Sequence, residues 1–92
     1  MLSVMLTLYV KDGCPFCHKV LAVREELGLS FEEKNIADEV VAAELVARGG
    51  KRQVPYLVDS DRNVEMYESD DIIAYLREHY SYPLAPQGTQ AT

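Results

Sequence analysis

Between Val4 and Val10 both alternating sets of side chains are largely apolar: Val4, Leu6, Leu8 and Val10 on one, Met5 and Tyr9 beside Thr7 on the other. A strand that needs cover on both faces fits a sheet with helices above and below it, which makes this an α/β chain. Lys11-Asp12-Gly13 then breaks the alternation, and Phe16, Val20, Val23 and Leu27 recur at steps of four, three and four, the period of a helix. Pro15 suits the first helical turn, where its missing N–H has no intrahelical partner, and Gly28 is a stop signal just past the last apolar position. The helix therefore begins at the cysteines of Cys14-Pro15-Phe16-Cys17.

Downstream, Phe31–Ile36 carries three charges and reads as a polar edge strand. Asp38 caps a second helix running through Arg48, with Val41 and Leu45, and Ala42 and Val46, paired at i, i+4; Gly49-Gly50 ends it. Tyr56–Val58 and Val64–Met66 flank Asp59–Asn63 as a hairpin with a loop of about five residues. Ser69 is the expected cap of a last helix, with Asp70 and Asp71 at its positive end and Ile72, Ile73, Leu76 and Tyr80 on its apolar face. The order is β-α-β-α-β-β-α, a four-stranded mixed sheet flanked by helices.

Ninety-two residues, 48% of them hydrophobic, allow one domain and one core. Fifteen acidic against nine basic residues leave a formal charge of −6, which argues against a nucleic-acid partner. The longest apolar stretch, at the start of the chain, is about half of what spans a bilayer, and no basic residue precedes Lys11 to form a leader, so neither membrane insertion nor export is expected. Two closely spaced cysteines are too few for a disulfide-held secreted domain, and the expected location is the reducing cytoplasm.

In that setting the two thiols read as chemical groups. Cys14 at a helix start faces backbone N–H groups without intrahelical partners and the positive end of the dipole, with Lys11 three residues upstream; both favour the thiolate. Cys17, one turn further in, is expected to be less acidic and less exposed, within reach of Cys14 for a reversible disulfide. Competing readings are weaker. Cys-x-x-Cys-His18 matches a haem-attachment pattern, but that needs export; as a zinc site the pair is one or two ligands short; and inert packing does not account for a Pro between cysteines at a helix start. His18 and His79 read as a solvated residue and a helix C-terminal cation.

Three separated segments, Lys11-x-x-Cys14-Pro15-Phe16-Cys17, Val54-Pro55 and Ser69-Asp70-Asp71-Ile72, resemble the glutaredoxins, and the element order is similar to their thioredoxin-like fold. The resemblance runs from about Val4 to about Tyr80. It implies that Cys14 is the nucleophile and Cys17 the resolving thiol. It also implies a cis peptide before Pro55, with the Val54 backbone pairing with the cysteinyl part of bound glutathione as an added strand. Lys11 and a basic residue of the Lys51-Arg52 pair, assigned to Arg52, would hold the glycine carboxylate; Phe16 would line the site; Ser69 and Asp70 would take the γ-glutamyl end. Residue chemistry alone leaves a turn at Pro55, a solvated basic loop and a plain helix cap open. Two departures from the glutaredoxin pattern stand out: Tyr67-Glu68 where many members have Gly-Gly, and Gln53 where many have Thr. Glu68-Ser69 instead looks like the glutathione-binding pair of glutathione transferase N-terminal domains.

The resemblance thus implies a free-standing glutathione-dependent thiol–disulfide oxidoreductase, since the chain stops at Thr92 without a second helical domain. Residues 1–80 would be the glutaredoxin-like domain and 81–92 a poorly ordered tail. Glutathione would be the co-substrate, with no metal. Partners would be disulfide-containing or glutathionylated proteins and, indirectly, an NADPH-linked glutathione reductase; the protein would be monomeric. The alternatives are a thioredoxin-like reductant of one protein, a non-catalytic glutathione-binding module, or an iron–sulfur or metal-binding relative. The last branch usually carries a single-cysteine Cys-Gly-Phe-Ser site, unlike this dithiol.

Overall fold

The structure, a computed structural model, describes residues 6–80. Val4 and Met5 of the expected first strand, and the expected tail 81–92, lie outside the described residues. The elements are β1 (Leu6–Val10), α1 (Pro15–Leu27), β2 (Glu32–Asn35), α2 (Glu39–Gly49), β3 (Tyr56–Asp59), β4 (Val64–Tyr67) and α3 (Ser69–Tyr80). The sheet order is β2-β1-β3-β4. β1 and β2 are parallel, while β1–β3 and β3–β4 are antiparallel, so the polar EEKN strand takes an edge as its composition requires.

The central strands β1 and β3 are covered on both sides. Leu6, Leu8, Val10 and Leu57 pack with Val20, Val23 and Leu27 of α1 and Ile72 and Leu76 of α3. On the other face Tyr9, Tyr56 and Val58 pack with Ile36 and with Ala42 and Leu45 of α2. Local chemistry sets the helix ends: Gly28 closes α1 in the left-handed region at φ 68°, and the Asp38 carboxylate accepts the Val40 N–H at 2.9 Å. Helices α1 and α3 are linked on the outside by a forked Arg77–Glu26 pair at 2.5 and 3.2 Å.

Three expectations need correction. Asp59 is not a loop residue: it is the last residue of β3, paired with Val64, and is fully buried because its carboxylate accepts the hydroxyls of Tyr75 at 2.6 Å and Tyr80 at 2.5 Å and the Arg62 N–H at 3.3 Å. Ser69 is not the cap of α3. The Ile72 N–H donates to the Glu68 carbonyl, so the half-in residue is Glu68, left-handed at φ 76°, and Ser69 is the first helical residue. Gly49 does not stop α2 but is its last residue; the stop is Gly50, at φ 92°, whose N–H returns to the Val46 carbonyl.

Candidate active site

Three chain segments meet at one end of the sheet: the β1–α1 junction, the 51–55 loop before β3, and the β4–α3 corner. Each is placed by an element boundary already fixed by packing. The buried β1 strand delivers Cys14 to the cap position of α1, in extended backbone at φ −90° and ψ 112°, with Pro15 as the first helical residue. The Cys14 Sγ accepts the Cys17 N–H at 3.4 Å, a sulfur in the place usually taken by a capping oxygen.

The two thiols differ as expected. Cys14 is 8% exposed and Cys17 1%. Burial alone pushes the Cys14 thiol up, but the Cys17 side chain, the backbone N–H groups of Cys17 and Phe16 and the Lys11 charge outweigh it, and its pKa lies below the free-cysteine value. Burial, followed by the hydrogen bond to Cys14, pushes the Cys17 thiol in the opposite direction. The same helix start thus favours the thiolate at Cys14 and the thiol at Cys17.

Two clefts meet at Val54, which lines both, and Cys14 lines one of them. The first, about 380 Å³, is bounded by Lys11, Cys14, Ile36, Ala37, Arg52 and Val54. It brings a thiol and two cations together, a setting suited to a carboxylate. The second, about 330 Å³, is bounded by Phe16, Gln53, Val54, Pro55, Glu68, Ser69 and Asp70. It pairs an apolar wall, with Phe16 57% exposed, against two carboxylates. The Val54–Pro55 peptide between them is cis, as the resemblance implied.

Of the ten residues singled out from the sequence, nine line these two clefts, and the tenth, Cys17, is bonded through its N–H to the Cys14 sulfur. Sequence reading missed Ile36 and Ala37, which follow β2 and carry no chemical signal, and Lys19. The Lys19 ammonium reaches across from α1 to the Asp70 carboxylate at 2.8 Å and lies 5.8 Å from the Phe16 ring centre. Gln53, which departs from the glutaredoxin pattern, donates its side-chain amide to the Glu68 carboxylate at 3.4 Å. Among the described residues no group of three or more His, Cys, Asp or Glu could hold a metal ion, and no helix is long and apolar enough to cross a membrane.

Known proteins are similar to this chain in sequence and fold. A family model described as "Glutathione S-transferase, N-terminal domain" matches residues 8–86. The Synechocystis protein named "Probable glutaredoxin ssr2061" is 32% identical over 78% of this chain and 82% of its own length. The "Glutaredoxin-like protein NrdH" of Escherichia coli is 30% identical over 73% of this chain and 83% of its own. Among solved structures, a glutathione transferase homologue from Drosophila mojavensis with bound glutathione superposes with a TM-score of 0.73 at 27% identity, covering 86% of this chain and 36% of that one. The chain spans only 28% of a Haemophilus influenzae hybrid peroxiredoxin and 36% of a Pasteurella multocida stringent starvation protein A homologue, to which it is 30% and 29% identical. With the four-stranded mixed sheet and its three helices, these matches place it: the chain belongs to the family of glutathione S-transferase N-terminal domains, as a glutaredoxin-like member with the thioredoxin-like fold.

Proposed function

We propose that this chain is a glutathione-dependent thiol–disulfide oxidoreductase. The observation that carries the reading is the Cys14 sulfur, acidified at a helix start and lining a cationic cleft that shares Val54 with an acidic one. Glutathione is a tripeptide with a carboxylate at its glycine end, a thiol in the middle, and an ammonium beside a second carboxylate at the γ-glutamyl end. Lys11 and Arg52 suit the first end. The Ser69 and Asp70 region suits the second, and the backbone at half-buried Val54, which lines both clefts, suits the part between.

In this scheme the Cys14 thiolate attacks the glutathione sulfur of a mixed disulfide. The old S–S bond breaks, the substrate leaves as a thiolate that takes up a proton, and Cys14 is left joined to glutathione. A second glutathione thiolate then attacks the glutathione sulfur of that intermediate, releasing glutathione disulfide and restoring the Cys14 thiolate. With a protein disulfide, Cys17 loses its proton and attacks the Cys14 sulfur of the mixed disulfide, and two glutathiones reduce the resulting Cys14–Cys17 bond. The mixed-disulfide cycle consumes one glutathione, the other half of the released disulfide coming from the substrate, and the protein-disulfide cycle consumes two; in both, an NADPH-linked reductase returns the glutathione disulfide to the thiol. Cys17 stays protonated until needed because burial opposes its charge.

A second reading, a protein-specific reductant that does not use glutathione, is favoured by one contact: Lys19 occupies the Asp70 carboxylate that a γ-glutamyl ammonium would need. Reduction of a small glutathione mixed disulfide, coupled through glutathione reductase to NADPH oxidation, separates the two. Turnover that saturates with glutathione supports the first reading. Absence of glutathione-driven turnover, with reduction of protein disulfides by a thioredoxin-type reductase, supports the second.

A further inference from the structure

The 51–54 loop carries Arg52, Gln53 and Val54 into the two clefts, and the structure shows what holds it there. Tyr67, the last residue of β4, places its hydroxyl on the backbone of Lys51, donating to the carbonyl at 2.8 Å and accepting the N–H at 3.1 Å. The Lys51 ammonium lies over the same ring, 4.8 Å from its centre. On its inner side the ring packs against Tyr56, with centroids 4.4 Å apart, and Tyr56 against Tyr9 at 5.9 Å, so the hydroxyl is aimed by an aromatic stack rooted in the core of the sheet. Gly49 completes the arrangement: a Cβ there would stand inside van der Waals distance of the Tyr67 hydroxyl and 2.8 Å from Cζ. The glycine is thus required by the close approach of Tyr67, whereas its neighbour Gly50 is required by a left-handed backbone.

We propose that Tyr67 is a positioning residue for glutathione: its hydroxyl fixes the Lys51 backbone and so sets where Arg52 and Val54 stand relative to Cys14. The proposal rests on the glutathione reading above. It also accounts for one departure from the glutaredoxin pattern. The position where many members use a glycine for close backbone approach is here occupied by a side chain that ties the opposite loop, and the neighbouring Gln53–Glu68 contact spans the same gap.

The test is Tyr67→Phe in the full chain, which removes one hydroxyl and keeps the ring. The expected result is a roughly 2–10-fold rise in the glutathione concentration for half-maximal rate, with kcat and the Cys14 alkylation rate unchanged, and faster hydrogen exchange at the Lys51 amide. Gly49→Ala, which pushes on the same hydroxyl from α2, should produce the same signature, and the double variant should add little to either. Faster Lys51 exchange with an unchanged glutathione requirement would reduce Tyr67 to a loop fastener and overturn the proposal while leaving the glutathione reading intact. A parallel loss in alkylation, or full additivity with Gly49→Ala, would also overturn it. A wild-type chain that makes no use of glutathione overturns the functional reading and this proposal together.

Discussion

The two clefts that meet at Val54 are assembled in different ways. In the thiol cleft the acidifying groups are nearly all local in sequence: the Lys11 charge, the Phe16 and Cys17 N–H groups and the Cys17 side chain lie within seven consecutive positions, 11–17. A helix start supplies them as soon as α1 forms. In the acidic cleft the polar side chains are held from afar. Asp70 is gripped by Lys19, 51 positions away, and Glu68 by Gln53, 15 away. The first device is as robust as a helical turn; the second depends on several elements docking correctly, through contacts that are largely exposed and individually weak.

The largest expected effect breaks the local device. Cys14→Ser removes the proposed nucleophile and should abolish turnover in the mixed-disulfide assay, while Cys17→Ser should retain much of it, because in the proposed scheme glutathione itself releases the intermediate. Equal and complete loss in both variants would mean that Cys17 is obligatory and would favour the protein-specific reductant.

Next in size is Lys11→Glu, which replaces attraction by repulsion at the sulfur. The Cys14 pKa should rise, and alkylation at neutral pH should slow in proportion to the lost thiolate. Ultraviolet thiolate absorbance against pH gives the midpoint directly; one that does not move would transfer the acidification entirely to the backbone N–H groups and the Cys17 side chain. The sign for stability follows from the same shift. Because the folded pKa of Cys14 lies below the unfolded value, the reduced protein gains stability from this thiol as pH rises between the two, and loses it as pH falls through the folded value. Lys11→Glu should flatten that slope in chemical denaturation.

The distributed device should respond more gently. Asp70→Asn should raise the half-saturating glutathione concentration by roughly 2–10-fold, a charge-assisted bond becoming a neutral one at an exposed site, with Cys14 alkylation untouched. An unchanged glutathione requirement with a lower melting temperature would return Asp70 to the role of a dipole-favoured residue in the first turn of α3. The smallest effect is expected of Lys19→Gln. Freeing Asp70 from its ion pair should lower the glutathione requirement by up to about five-fold, and added salt should mimic the change in the parent protein. The opposite sign would mean that Lys19 itself serves the bound carboxylates.

The same division explains what could be read in the sequence. The buried first strand, the cap roles of Cys14 and Asp38, the stop at Gly28 and the unequal thiols all follow from signals a few residues apart, and the structure bears them out. The family pattern added the cis peptide before Pro55, for which local chemistry offered only a turn. What escaped was non-local. Asp59 reads as a loop aspartate until Tyr75 and Tyr80, 16 and 21 positions on, are folded against it. Gly49 reads as half of a stop signal because nothing nearby reveals that Tyr67 will lie across it. Glu68 gave no hint of a left-handed backbone, which is uncommon outside glycine and asparagine.

Asp59 has a consequence that reaches back to the site. Burial and the Asp59 carboxylate raise the pKa of Tyr75 and Tyr80, the latter to about 12, so both are hydroxyl donors at neutral pH. The bolt they form joins the last residue of β3 to the far half of α3, whereas Pro55 and Ser69 stand at the near ends of the same two stretches of chain. A twelve-residue helix is about 18 Å long. With Ile72 and Leu76 buried along its length and Tyr75 and Tyr80 bonded to Asp59 in its far half, α3 is fixed in aim as well as in attachment, and Ser69 and Asp70 start from that fixed helix. The aim of the acidic cleft is in this sense set in part from the far half of α3, by two phenols on one carboxylate.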